Sequence, residues 1–195
     1  MWVLATLAPG WPKAVVHEPA PASSLSTKLA SGAALYFGTV LEPGLPRGSV
    51  CPRSLCRVED LEAQTFDDET FDLVVSQDVL EHVFRPDAAL REIARTLKPG
   101  GLHVFTTPLS RGRRPSRRRA LIDAAGVVRH QLPPEHHLAP GGEACLVTWD
   151  WGSDLPALIE AWSGLATQIV EPPAPSMGLQ GEFLEVMVSR KPRAT

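Results

Sequence analysis

Two stretches of this sequence concentrate side chains able to move protons or grip charge. In HQLPPEHHLAP, from His130 to Pro140, Glu135, His136 and His137 cluster between prolines that hold the backbone extended. Imidazole titrates near neutrality, so one of these histidines facing a cleft can act as a base or orient a substrate; the alternative is two exposed histidines with no role. Neighbours in an extended chain point different ways, so His136 and His137 do not by themselves make a two-histidine metal site. In SRGRRPSRRR, six arginines fall between Arg111 and Arg119. The run reads first as a solvated loop and second as a bidentate grip on an anionic substrate. An RNA surface comes last, because interleaved aromatics and a wider basic face are missing. Asp67, Asp68 and Glu69 read as a solvated turn, since three adjacent carboxylates do not easily converge on one ion. Cys51, Cys56 and Cys145 are odd in number and lack the paired short spacing of zinc sites, so free thiols and no structural metal are expected.

The elements that must position these groups begin with FDLVVSQDVLEHVFRPDAALREIARTLKPGGLHVFTTPL, Phe71 to Leu109. Leu73, Val74 and Val75 are apolar without alternation, as in a strand covered on both faces. Pro86 opens a helix with Asp87 in its first turn, and Leu90, Ile93, Ala94 and Leu97 form its apolar stripe. Lys98 falls at the negative end, Pro99-Gly100-Gly101 stops the helix, and Leu102 to Phe105 starts another strand. A strand, helix and strand of this length make a right-handed βαβ unit, hence a parallel sheet. Ligands of such sheets bind beyond the carboxyl ends of the strands, where Ser76, Gln77, Asp78, Thr106 and Thr107 stand.

Upstream, Ala14 to Val16 reads as a first strand, followed by a helix that Ser23 or Ser24 caps. Ala33 to Thr39 reads as a second strand and Leu55 to Val58 as a third. Downstream, Ser153 to Ser163 is a helix capped by Ser153 and Asp154 and closed by Gly164, with Trp149 and Trp151 before it read first as core packing and second as walls of a substrate cavity. Gln168 to Val170 and Phe183 to Ser189 are two last strands. The 195 residues suit one domain, with 14–109 as its ligand-binding half and 110–195 as substrate-side loops and final strands. A hydrophobic fraction of 44% with 21% charged residues is ordinary for a globular protein, and a net charge of -3 gives no attraction to nucleic acid or acidic membranes. The apolar start, Trp2 to Ala8, lacks a basic lead and is too short to span a bilayer, which points to a cytoplasmic protein.

The segment Val58 to Leu109 resembles the second half of the class I S-adenosylmethionine-dependent methyltransferases, specifically the type 11 small-molecule group. The matching parts are EDLEAQTFDDETFDLVVSQDVLEHV, the helix after it and the LKPGG turn. The resemblance implies a Rossmann-like α/β fold: a doubly wound, mostly parallel sheet with an antiparallel last strand in three α/β/α layers. It also implies S-adenosylmethionine as cofactor. Asp60 then matches the acidic residue that accepts a hydrogen bond from the adenine amine, with Leu61 beside the ring. Gln77 and Asp78 are placed to meet the methionine half of the cofactor or the substrate, and Ser76 beside them is a further cofactor-binding candidate. His82 matches a histidine common in the family, mostly a packing residue.

The turn from Glu18 to Ser24 stands where the family has an acidic residue and a glycine-rich loop, with Ala20 and Ala22 at the usual glycines. Alanine tolerates a left-handed backbone and a close ligand less well than glycine, so this turn departs from the pattern. Glu42 is the candidate near the second strand for the carboxylate that binds the ribose hydroxyls, beside a plainer reading as a loop glutamate. The expected function is methyl transfer to a small molecule, with His137, then His136, as the base where the acceptor must lose a proton. A degenerate methyltransferase acting as a binding or scaffolding module is the alternative. A nicotinamide-dependent enzyme ranks below both, because no GxGxxG follows any predicted strand.

Overall fold

A computed structural model describes residues 1–110, 114–138, 142–173 and 181–193. The chain runs through α1 (Trp2–Leu7), β1 (Val15–Pro19), α2 (Ser24–Gly32), β2 (Leu35–Val40), β3 (Arg57–Val58), β4 (Phe71–Gln77), α3 (Pro86–Thr96) and β5 (Leu97–Thr106). The second half contributes β6 (Arg117–Arg118), β7 (Ala120–Ile122), β8 (Val128–His130), β9 (His136–Leu138), β10 (Ala144–Leu146), β11 (Trp149–Asp150), α4 (Leu155–Ser163), β12 (Ala166–Val170) and β13 (Val186–Arg190). Seven strands form the main sheet in the order β12-β13-β5-β4-β1-β2-β3. β1 to β5 pair in parallel, and β13 runs antiparallel to both β5 and β12, as the sequence led us to expect.

Two apolar layers sandwich this sheet. Leu90 and Ile93 of α3 and Leu155 and Ile159 of α4 pack with Phe71, Val74, Phe105 and Met187 on one face. Val3 and Leu4 of α1 and Leu29 of α2 pack with Val16, Leu73, Val75 and Val104 on the other. The start of the chain is thus a folded helix lying on the sheet, and among the described residues no helix is long and apolar enough to cross a membrane.

Phe71 and Leu73 would share a face in a regular strand. They do not, because the ladder between β4 and β5 skips: Phe71 pairs with Leu97, and Leu73 with Leu102. The KPGG residues form this bulge, with Gly100 at φ 80°. Lys98 is accordingly not spent on the helix terminus. Its Nζ binds Asp72 at 2.9 and 3.0 Å, and Asp72 also accepts the Val15 amide at 2.8 Å, tying β1, β4 and β5 at their starts.

α2 begins as expected, with Ser23 accepting from the Leu25 and Ser26 amides while Ser26 Oγ accepts from the Ser23 amide, a capping box. α4 begins at Leu155, and Asp154 does not cap it through its side chain; Oδ1 instead takes the Ser116 amide and hydroxyl at 2.8 and 2.7 Å. Gly164 closes α4 in the left-handed conformation, φ 73°. Three small antiparallel pairs, β6 with β11, β7 with β8 and β9 with β10, stand where loops were expected.

Candidate functional site

The parallel pairings bring Pro19, Val40, Val58, Gln77 and Thr106 to one edge of the sheet, and the strand order reverses between β1 and β4 there. That edge is where a doubly wound sheet binds its ligand. The β1 turn lacks glycine, yet one of its two alanines is left-handed. Ala20 has φ 54°, and its amide donates to the Thr39 carbonyl at 2.8 Å. A left-handed alanine costs roughly 1–2 kcal/mol, so the surrounding structure enforces it. Pro21 leans on Gly38, where an added Cβ would lie 3.1 Å from the proline ring, so this part of the turn packs against β2. Ala22 is exposed.

Glu18 lies buried at the end of β1. Its Oε2 accepts from the Tyr36 hydroxyl at 2.6 Å and its Oε1 from Ser26 Oγ at 2.8 Å. Burial raises the carboxyl above its ordinary pKa, against the opposing pull of those two donors. Tyr36 was not singled out from sequence, since a strand tyrosine looks like packing. Ser23 also donates to Gln77 Oε1 at 2.6 Å, a bond from the cap of α2 to the end of β4. The bond fixes which way the amide faces and turns its NH2 group, two donors, away from Ser23.

Asp60 follows β3 on this edge, half-buried, with Oδ1 accepting the Glu62 amide at 2.9 Å. Leu61 beside it packs on the core. Its neighbour Glu59 is buried and structural, held by Arg57 Nε at 2.7 Å and the Thr65 amide at 2.9 Å. Glu42 is ion-paired to exposed Arg53 at 2.7 Å. Ser76 turns its hydroxyl into the core, 3.0 Å from His103 Nε2, because strand alternation points it at the face under α3 and α4. Asp78, at φ 50°, accepts from Thr106 Oγ1 at 3.0 Å. A surface recess of about 380 Å³, lined by Arg47, Glu62, Phe66 and Arg95 among others, flanks α3 and includes none of Glu18, Ala20, Gln77 or Asp78.

A second cluster, whose Glu81 was not singled out from sequence, forms just past Asp78. Glu81 is 1% exposed in a 3-10 turn after β4, and its Oε2 accepts from Thr107 Oγ1 at 2.8 Å. Burial pushes its carboxyl up to about 7, with Asp78 adding to the push and Thr107 and His137 opposing it. His137 Nδ1 lies 3.8 Å and His82 Nε2 4.0 Å from Glu81 Oε1, and the two rings meet edge to face at 5.2 Å. Thr148 hangs this arm in place: its amide and hydroxyl donate to the Glu81 carbonyl at 2.7 and 3.0 Å, and its hydroxyl also lies 2.7 Å from the Val83 carbonyl. His136, next along β9, is exposed and is not part of the cluster.

The arginine run is less solvated than expected. Arg117 and Arg119 both bind Asp150, Arg119 also binds Glu135 at 3.0 Å, and Arg118 lies over the Trp149 ring at 4.9 Å. Arg111 and Arg113 lie outside the described residues. The three cysteines are free.

Residues 43–105 match a family model described as a methyltransferase domain. The whole chain superposes on an S-adenosylmethionine-dependent methyltransferase from Mesorhizobium loti with a TM-score of 0.62 at 20% identity, covering 97% of this chain and 96% of that one. The chain has the fold of the S-adenosylmethionine-dependent methyltransferases, and its central third matches a methyltransferase domain. The S-adenosylmethionine-bound amino pentose methyltransferase CalS10 from Micromonospora echinaspora superposes with a TM-score of 0.61 at 14% identity, covering 97% and 88%. An uncharacterized protein of Mycobacterium tuberculosis is 35% identical over 69 residues, a stretch that spans 35% of this methyltransferase-fold chain and 21% of that relative.

Proposed function

We propose that this chain transfers the methyl group of S-adenosylmethionine to a small-molecule acceptor. The observation that carries the reading is Ala20: the turn after β1 adopts the left-handed conformation that glycine supplies in the family, although the glycines themselves are replaced. The donor set at the sheet edge also fits the cofactor's chemistry. Asp60 offers only acceptors, as an adenine amine requires, and Leu61 gives the base an apolar neighbour. The Gln77 NH2 group, oriented by Ser23, suits a carboxylate. The bound cofactor supplies an electrophilic methyl group on a sulfonium, so the protein's task is to hold the acceptor in line and keep water out.

An acceptor nitrogen with a free lone pair needs no base. A hydroxyl acceptor does, and His137 on the β9 arm is the residue assigned to take that proton, with exposed His136 behind it. The degenerate scaffold remains the second reading, motivated by the alanines at Ala20 and Ala22. Thermal unfolding with S-adenosylhomocysteine separates the two. Ligand at a hundred times its dissociation constant adds about 2.7 kcal/mol to the folded state, and Asp60→Ala should weaken that gain. An unmoved transition at millimolar ligand would reject cofactor binding.

A further inference from the structure

Glu81, His82 and His137 bring one carboxylate oxygen and two imidazole nitrogens within 4.8 Å of one another. The proton position on His82 follows from its partner. His82 Nδ1 lies 2.8 Å from the Leu146 carbonyl, which can only accept, so Nδ1 carries the hydrogen and Nε2 presents a lone pair toward Glu81. Glu81 Oε1 is buried without a hydrogen-bond partner, while Oε2 is held by Thr107. His137 turns Nδ1 toward that same Oε1 at 3.8 Å, and its Nε2 faces Glu135 Oε1 at 4.0 Å. Glu135 is anchored in turn by Arg119 at 3.0 Å.

Three potential acceptor atoms facing one another, one of them buried, attract a shared cation, either a proton or a metal ion. We propose that Glu81, His82 and His137 form a binding site for a divalent transition-metal ion, zinc foremost, with His82 bound through Nε2 and His137 through Nδ1. Two imidazoles and one carboxylate are a common zinc ligand set and leave a fourth position open. In metal sites the far nitrogen of each histidine donates to a carbonyl or carboxylate, which fixes ring and tautomer. Leu146 stands at that position for His82, Glu135 lies 4.0 Å from the far nitrogen of His137, and Thr107 donates to Glu81.

Zinc ligands at about 2.0–2.1 Å from the metal lie roughly 3.4 Å apart in a tetrahedron, so small side-chain rotations close the present spacing. This departs from the expectation of no metal, which rested on the cysteine spacing and weighed His136 and His137 only as a pair; here the second histidine comes from a different arm. The proposal stands apart from methyl transfer. With a metal bound, Nδ1 of His137 is occupied, and a role as base belongs to the metal-free chain.

The test is binding to the full chain, stripped with chelator and with no cofactor present. Cobalt(II) and zinc(II) are titrated and followed by the cobalt d–d absorption and by thermal unfolding. One ion per chain is expected, with His137→Ala and His82→Gln each weakening it at least tenfold and Cys145→Ser, whose thiol sits across the ladder from His137, leaving it unchanged. Cobalt should show no thiolate charge-transfer band. No binding at millimolar metal would leave the cluster to a proton only and overturn the site. Binding that survives His137→Ala or vanishes with Cys145→Ser would place the metal elsewhere and overturn it equally.

Discussion

Replacing His103 with glutamine is expected to flatten the acid side of the stability curve. The imidazole is fully buried on β5, bonded to Ser76 and stacked 4.3 Å from Phe105. Burial, helped by repulsion from His17, lowers its pKa to about 3. The unfolded chain takes the same proton near 6.5. Between those values the unfolded state binds more protons, so the contribution is intact above pH 6.5 and is lost as pH falls toward 3. At pH 5, one and a half pH units below the unfolded value, the loss is about 2 kcal/mol at roughly 1.4 kcal/mol per unit.

His17, lowered to about 3 by burial, acts in the same sense, whereas Glu81, raised to about 7, acts oppositely between about pH 4.5 and 7. The readout is therefore the difference between parent and variant. Urea unfolding of both at pH 7.5 and pH 5.0 should show the parent losing about 2 kcal/mol more than His103→Gln. Equal losses would refute the reasoning. Should the variant not fold, proton NMR of the parent decides: of six histidines, the signals of His17 and His103 should stay still down to pH 4, and titration of all six near neutrality would refute it as well.

Two further substitutions test the frame around the site. Ser23→Ala removes the cap of α2 and the bond to Gln77, which should cost about 1 kcal/mol and lower the melting temperature by about 2–4 °C; an unchanged transition would show that the cap contributes nothing. Gly152→Ala places a Cβ 2.0 Å from the Arg114 carbonyl, so the chain must separate there, and a loss of about 1–3 kcal/mol or more is expected by chemical denaturation. A near-neutral result would mean that the Arg114 to Ser116 backbone yields freely.

The parallel half of the fold was legible because its signals are local. Leu73 to Val75 reads as a covered strand, the Leu90 to Leu97 spacing as a helix, and Gly164 as a stop, and the structure has all three. Other elements carry no such signal. α1 has six residues, too few for a repeating stripe, and the small strands β6 to β11 are two or three residues long, too short to alternate. Gln77 was placed by its position after a strand and Asp60 by its match to the family's acidic residue. Glu81 was hidden for another reason. A glutamate between Leu80 and His82 looks like surface, and its burial comes from Thr107 and from an arm hung by Thr148, far along the chain. Ser76 shows the converse: position along a strand indicates the edge it approaches, but alternation decides which layer its hydroxyl enters.

The extra residues that Lys98 to Gly101 insert into β5 look like a disposable turn, yet they set the phase of the strand beside them. Trimming three of them to restore an even ladder would put Phe71 and Leu73 on one side of the sheet and strip one layer of its contribution. A length change in this place therefore acts as a core mutation, and descendants of this chain are freer to lengthen the second-half arms than to shorten four residues that hold both layers in step.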